Sequence, residues 1–132
     1  MTPHEQALIL MGKAGQDEAL VDEVLDAAHI SDEIVGFHCQ QAAEKLLKAL
    51  LAEKGIHFEK THNLHHLLNL LADAGVPVPQ DLEDLDELTP FAVLLRYASP
   101  GMEEPGDRRA WREMVRRVRE WVEPQIQGQG RV

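Results

Sequence analysis

The sequence predicts an all-α protein, an up-and-down bundle of about five helices. Two observations support this prediction: apolar residues recur at i, i+3, i+4 and i+7 along most of the chain, and β-branched residues never alternate with polar ones over a useful length. Glycine and proline fall between the apolar stretches, where helices end. A chain of 132 residues is one domain, large enough to bury about two-thirds of its unfolded surface.

The central helix, between Ser31 and Gly55, is the clearest of these elements. Ser31 gives an N-cap, Asp32 and Glu33 an acidic first turn, and Gly55 a left-handed end. The apolar stripe comprises Val35, Cys39, Ala42, Ala43, Leu46, Leu47, Leu50 and Leu51. The opposite side carries a polar seam of Gln41, Glu44, Lys45 and Lys48. Within this seam, Glu44 and Lys48 stand at i and i+4 in the favourable order for an ion pair.

The first helix is expected from Pro3 to about Ala28. Gly12 and Gly15 lower its helical propensity and predict a kink or a break near residues 15–17. The residues expected to face the core are Ala7, Leu8, Met11, Ala14, Leu20, Val21, Val24 and Leu25.

The third helix is capped by Thr61 or Asn63 and is closed by Gly75. Its inward stripe is Leu64, Leu67, Leu68 and Leu71, and its outward residues are His62, His65, His66, Asn69 and Asp73. His62 and His66 have the i, i+4 spacing of a zinc pair, but no third ligand stands nearby. We therefore predict a polar helix face and no metal.

The last two helices complete the bundle. The fourth starts at Asp81 with Leu82, Leu85 and Leu88 inward, is capped anew or kinked at Thr89-Pro90, and ends at residues 99–101. The fifth runs from about Pro105 to Val122 on a stripe of Trp111, Met114, Val115, Val118, Trp121 and Val122. Residues 1–126 are thus expected to form the domain, and residues 127–132 a flexible tail.

The charge is unevenly distributed. Residues 1–95 carry five Lys and no Arg against 17 acidic residues, whereas residues 96–132 carry eight Arg against six acidic residues, within a net charge of −10. Such an acidic chain is unsuited to coating nucleic acid, although a local arginine stripe can still hold a few phosphates.

The single cysteine, Cys39, lies in the apolar stripe and is predicted to be a core residue. One cysteine cannot form an intrachain disulfide, and the chain shows neither a signal peptide nor an apolar run of about 20 residues that could span a membrane. The sequence therefore predicts a soluble, cytoplasmic protein.

Three motifs occur in order along the chain: QAAEKLLKA at residues 41–49, THNL at residues 61–64, and Arg96-Tyr97 after an apolar run. In order and spacing they resemble the HEPN family (higher eukaryotes and prokaryotes nucleotide-binding), and the resemblance covers nearly the whole chain. It implies a small helical bundle, usually a homodimer. Members are ribonuclease toxins, partners of minimal nucleotidyltransferases, and uncharacterised nucleotide-binding proteins.

In ribonucleases of this family an arginine at the position of Arg96 is followed four to six residues later by a histidine, and the pair cleaves RNA across a dimer interface. Here residues 97–103 are YASPGME, without a histidine. Nor does a tyrosine stand there, as in members that a partner nucleotidyltransferase modifies. Because the proton-transferring group is absent, we predict no metal-independent ribonuclease activity.

The resemblance singles out Arg96, Tyr97, Gln41, Lys45 and Lys48 as candidate ligands for a nucleotide or RNA phosphate. Arg96 has an alternative, an ion pair with an acidic residue such as Glu44. The polar seam likewise either faces a dimer partner or ligand, or is simply solvated.

A second basic strip, with the same two alternatives, lies on the last helix. Its members are Arg108, Arg112, Arg116 and Arg119, with Arg109 and Arg117 beside them. They either hold phosphates or pair with acidic residues, and the interleaved Glu113, Glu120 and Glu123 favour pairing.

We therefore expect a HEPN-type binding module, homodimeric and without a cofactor, that holds a nucleotide or RNA phosphate. The resemblance adds a minimal nucleotidyltransferase as partner, in the manner of a toxin-antitoxin pair. The alternatives are a ribonuclease toxin with a non-standard catalytic set and a helical interaction protein without a ligand.

Overall fold

The structure is a computed structural model that describes residues 1–93 and 106–127. Within these ranges it contains helices and no strand, which confirms the all-α prediction. The α-helices are α1 (Pro3–Val24), α2 (Asp32–Glu53), α3 (Leu64–Asp73) and α4 (Arg108–Gln127). A 3-10 helix spans Gln80–Leu88, and residues 91–93 are also helical. Helices α1 and α4 pack along α2, while α3 and the 3-10 helix close the rest of the bundle.

Helix α2 is the centre of the bundle. Both predicted boundaries are confirmed: the Ser31 side chain accepts a hydrogen bond from the Ile34 N–H (3.3 Å), and Gly55 has a φ of +69°. All eight residues of its predicted apolar stripe are buried. The polar seam is not simply solvated, because Glu44 is buried as well and is 5% exposed.

Helix α1 is continuous from Pro3 to Val24, so the expected break near Gly15 is wrong, as is the expected end at Ala28. Arg119 of α4 lies against Gly15, since a Cβ there would be 3.7 Å from its Nη2 atom. The same guanidinium binds the Glu18 carboxylate on one side of Gly15 and the Met11 carbonyl (3.4 Å) on the other. These contacts bridge the turns around the glycine and offset its low propensity.

The α1 core is narrower than predicted. Ala7, Ala14 and Val21, seven residues apart, form a buried seam, whereas Leu8 is 47% and Leu20 41% exposed. The two leucines are one residue away from this seam, which turns them by about 100° around the helix. The other expected core residues of α1, Met11, Val24 and Leu25, are partly buried.

The segment that starts at Asp81 in the sequence prediction is a 3-10 helix, and its buried residues are Leu82, Leu85 and Leu88 as expected. Three residues per turn place an i, i+3 leucine series in one row. The Thr89 hydroxyl accepts a hydrogen bond from the Leu64 N–H (3.1 Å) and donates to Asp86 Oδ1 (2.7 Å). Thr89 therefore helps to cap α3, a role that the sequence did not suggest.

Helix α4 begins later and ends later than predicted. Asp107 accepts a hydrogen bond from the Ala110 N–H (3.0 Å), and the helix continues through Pro124 to Gln127 instead of ending near Val122. Ile126 is fully buried, so the last turn contributes to the core. Of the predicted stripe, Met114, Val115, Val118 and Val122 are buried and the two tryptophans are partly buried. The predicted tail lies outside the described residues from position 128 onward.

Arg108 joins the start of α4 to the connection between α1 and α2. Its guanidinium donates to the Asp32 carboxylate (2.6 Å) and to the carbonyl oxygens of Val24 (2.9 Å), Ala27 (3.1 Å) and Ile30. The hydrogen bonds from Arg108 and from the Gly106 N–H hold the pKa of Asp32 below its usual range. The Val24 and Ala27 carbonyls also accept backbone hydrogen bonds from Ala27 and Ile30, so this one side chain adds a second donor to the turns between α1 and α2 and ties them to α4.

We expect Arg108→Lys to lower the free energy of unfolding by about 2 kcal/mol, because a single ammonium cannot reach carbonyls spread over this connection. Urea denaturation measures the change. Arg109→Lys is the matched control, since Arg109 and its partner Asp26 are 68% and 80% exposed, and it should change stability by less than about 0.5 kcal/mol. Equal losses in both variants would contradict this role of Arg108.

Candidate functional site

Two of the three sequence motifs meet at one place, between α2 and the segment that precedes α3. The His62 Nδ1 atom lies 2.8 Å from Glu44 Oε1, and the Gln40 side chain donates to Glu44 Oε1 (3.0 Å) and to the His62 carbonyl (2.9 Å). Lys48 donates to the other oxygen of Glu44 (2.9 Å), so the predicted i, i+4 pair is confirmed. We call Gln40, Glu44, Lys48 and His62 the junction cluster.

Glu44 is the centre of this cluster. Burial raises the pKa of its carboxyl group, but hydrogen bonds from Lys48, Gln40 and His62 outweigh burial and hold the pKa below its usual range. The carboxylate therefore stays ionised inside the protein, with both oxygens hydrogen-bonded.

His62 and Lys48 present the junction cluster to the outside. A carboxylate only accepts hydrogen bonds, so the His62 Nδ1 atom carries the proton in its contact with Glu44, and no residue in the described ranges bonds to Nε2. The His62 side chain is 48% exposed, and that of Lys48 is 13% exposed. The Lys48 ammonium also lies 6.0 Å from the centre of the Phe58 ring. The cluster can thus offer a ring nitrogen and a partly shielded cation to a ligand.

The two lysines of the predicted polar seam bind different carboxylates, Lys45 that of Asp17 and Lys48 that of Glu44. Lys45 Nζ binds Asp17 Oδ2 of α1 (2.5 Å), and His38 Nδ1 lies 3.0 Å from the other oxygen of Asp17. Lys45 and Lys48 therefore turn to different sides of α2. Gln41 is partly buried and donates to the Gln40 side chain (2.7 Å), which connects it to the junction cluster.

Arg96 and Tyr97 lie within residues 94–105, outside the part of the chain that the structure describes. Their predicted roles, and the alternative pairing of Arg96 with Glu44, stay predictions.

The arginines of the basic strip on α4 form ion pairs with acidic residues, which is the second of the two alternatives given for them above. Besides Arg108, the partners are Asp26 for Arg109, Asp22 for Arg112, Glu113 and Glu120 for Arg116, and Glu18 and Glu123 for Arg119. A phosphate at this strip would compete with these carboxylates. The hydrogen bond that Arg112 donates to Asp22 raises the pKa of Arg112 despite the opposing effect of burial.

The segment around residues 62–66 begins α3 with a cap. Asn63 is the N-cap of α3, and its side chain accepts from the His66 N–H (2.9 Å). Among the residues described, no three His, Cys, Asp or Glu side chains are grouped as metal ligands would be.

Cys39 is buried as predicted, and burial raises the pKa of its thiol to about 12, which suppresses its reactivity. No helix in the described ranges combines the length and apolar character of a transmembrane span.

Sequence reasoning missed Gln40 and the contact between Glu44 and His62. Gln40 stands directly before the recognised motif, and the spacing of His62 relative to the later leucines placed it on an outward face. Their contact joins residues 18 positions apart, and no local pattern encodes it. A glutamate among apolar residues, with a later histidine in a capping segment, was the only signal for it.

We expect Glu44→Gln to lower the free energy of unfolding at pH 7 by about 2 kcal/mol, because the half-buried Lys48 loses its counter-ion. A depressed pKa stabilises the folded state above the unfolded value, near 4.5, and this stabilisation is lost as the pH falls through the folded value. The difference between wild type and variant should therefore shrink below pH 4.5 in urea denaturation. Glu23→Gln, at an exposed position of α1, should match wild type, and a pH-independent difference would contradict the ionised state of Glu44.

Comparison with known proteins gives one match. A family model described as HEPN domain covers residues 21–125. Among the curated proteins and the solved structures, none matches the chain significantly. The matched region includes α2, α3, the 3-10 helix and nearly all of α4, and it contains all three motifs. The chain therefore belongs to the HEPN domain family, whose members are nucleotide- and RNA-related modules.

Proposed function

We propose that this protein is a homodimeric binding module that holds a nucleotide or an RNA phosphate and acts with a separate minimal nucleotidyltransferase. The observation that carries the proposal is the junction cluster, in which the family motifs at residues 41–49 and 61–64 are hydrogen-bonded to each other. A cluster built from the residues that define the family is the natural place for the function that the family shares.

The junction cluster supports phosphate binding through two groups. The Lys48 ammonium has three donors, of which Glu44 takes one, and the exposed His62 ring keeps its Nε2 atom. Both groups are held by the ionised Glu44, so they need little reorganisation on binding. Arg96 supplies the paired donors that phosphate prefers. In this proposal Gln41 and Tyr97 border the ligand, and Lys45 lends charge from its pair with Asp17.

A ribonuclease is the second candidate, and one observation favours it. His62, oriented by Glu44 and exposed to solvent, has the arrangement of a histidine that transfers protons. The spacing between His62 and Arg96 differs from the ribonuclease pattern, in which the histidine follows the arginine by four to six residues. We therefore rank binding above cleavage.

Binding is tested by fluorescence anisotropy with a labelled single-stranded RNA, with ATP as competitor. We expect Arg96→Gln and Lys48→Gln each to weaken binding at least about tenfold. Lys54→Gln is the control, because it removes one positive charge at an exposed position, and it should leave binding unchanged. If two phosphates are held, affinity should fall about sevenfold between 50 and 200 mM salt. Full-length RNA after prolonged incubation is the expected result of a parallel cleavage assay.

Absence of binding, or equal effects of Lys48→Gln and Lys54→Gln, would reject the phosphate site. Cleavage of the RNA that disappears in His62→Asn would instead establish the ribonuclease alternative. Because Lys48→Gln also removes the partner of Glu44, its folding is checked by circular dichroism before binding is measured.

The outer face of α1 supports the dimer. Leu8, Ile9 and Leu20 are 47%, 46% and 41% exposed, and between them Gly12, Gln16 and Ala19 are exposed and uncharged, with the exposed Lys13 at the edge beside Ile9 and Leu20. Apolar side chains presented together along one helix face are typical of a surface covered by a second subunit.

We expect light scattering to give twice the monomer mass of 14.8 kDa for the wild type, and the monomer mass for the double variant Ile9→Glu with Leu20→Glu. Ile34→Glu is the matched control, because Ile34 is 38% exposed and lies on α2, and it should remain dimeric. A monomeric wild type would reject the dimer, and a dimeric double variant would reject this face.

A further inference from the structure

An open groove of about 390 Å³ lies between α3 and the 3-10 helix, apart from the junction cluster. Its apolar floor is formed by Leu68, Ala72, Val78 and Leu82, and one rim by Glu83 and Asp86. The volume lies near the lower end of the roughly 300–1,000 Å³ that is usual for binding pockets. It has room for one or two apolar side chains of a partner.

The 3-10 geometry explains why carboxylates line one rim. With three residues per turn, residues i, i+3 and i+6 form straight rows along the helix. One row, at positions 82, 85 and 88, is leucine and is buried. A second row, at positions 80, 83 and 86, lines the groove with Gln80, Glu83 and Asp86. The third row, Asp81, Asp84 and Glu87, does not line it.

These carboxylates differ from the acidic residues of the rest of the bundle. On α1 and α2, Asp17, Glu18, Asp22, Asp32 and Glu44 are each paired with a lysine or an arginine. Within the described ranges, none of the five acidic residues at positions 81–88 forms a salt bridge. Arg117 reaches the Asp81 carbonyl (3.5 Å), not a carboxylate of this segment. The groove therefore combines an apolar floor with carboxylates that form no salt bridge within residues 1–93 and 106–127.

We propose that this groove binds a basic, amphipathic segment of a partner protein. Leucine-sized side chains of the segment contact the floor, and its lysines or arginines lie along the rim of Glu83 and Asp86. The His65 and Asn69 side chains on the α3 rim add hydrogen-bonding capacity. Negative charge on the rim repels nucleic acid, and the volume of about 390 Å³ exceeds what a single small cation requires. The inference goes beyond phosphate binding and does not depend on it.

The test uses the full chain and a labelled helical peptide of about twelve residues, with leucines at i and i+4 and lysines at most other positions. We expect saturable binding at physiological salt, with amide shifts in NMR spectra concentrated at Leu68, Ala72, Val78 and Leu82. Two control peptides, one with glutamates in place of the lysines and one with serines in place of the leucines, should not bind.

Two matched pairs of changes locate the site. Glu83→Lys should weaken peptide binding at least about tenfold, whereas Glu87→Lys, the same charge change on a row that does not line the groove, should have a smaller effect because its side chain is exposed outside the groove. Ala72→Trp should fill the groove and abolish binding, whereas Ala19→Trp, at an exposed position on α1, should not. Both targeted residues are exposed, and circular dichroism confirms that the variants fold.

Lack of peptide binding, equal effects of Glu83→Lys and Glu87→Lys, or full binding by Ala72→Trp would each overturn the proposal. Competition by spermine as effective as the peptide itself would also overturn it, because charge attraction would then suffice without the apolar floor. RNA binding by Ala72→Trp reports separately on the phosphate site, so the two proposals fail independently.

Discussion

The burial of α2 is the constraint on which the rest of the structure depends. Of its 22 residues, 13 are buried, and this set includes Gln40 and Glu44 as well as the apolar stripe. A buried amide and a buried carboxylate are tolerated only when their hydrogen-bonding groups are satisfied. Lys48 does this from the next turn of α2, and His62 does it from outside the helix. The segment before α3 is thereby fixed against α2, which brings two distant motifs together.

Charge complementarity fixes the direction of α4 along α1. The acidic residues Glu18 and Asp22 of α1 and Asp26 just after it follow one another along the chain, whereas their partners Arg119, Arg112 and Arg109 follow in the reverse order on α4, so the pairing is antiparallel. The exposed pair at Asp26 contributes little to stability, whereas Arg119 and Arg108, with side chains 26% and 15% exposed, hold several partners each. The arginines of the basic strip, for which the sequence left phosphate binding open, thus fix the position of α4 along α1.

The same pairing bears on the two proposed surfaces. The arginines of α4 pair with α1, with the connection after it, with α2 or with glutamates of α4 itself, and within the described ranges no salt bridge involves the acidic residues of the 3-10 helix beside the apolar groove. The junction cluster is different, since its carboxylate is fully bonded and its outward groups are a ring nitrogen and an ammonium. The proposed anionic ligand at the junction cluster and the proposed basic segment at the groove are compatible in one negatively charged protein, because the local charge at each surface determines which ligand it attracts.

The sequence by itself determined the helical class, both ends of α2, the leucine faces of α3 and the 3-10 helix, the burial of Cys39 and the family, because periodicity, caps and motifs are local in the chain. It did not determine the continuity of α1, the length of α4 or the narrow seam of Ala7, Ala14 and Val21. Those features depend on contacts across the bundle, such as Arg119 beside Gly15 and Ile126 in the core. The contact between His62 and Glu44 was likewise decided only by tertiary structure, because a buried carboxylate selects its partners by distance in space.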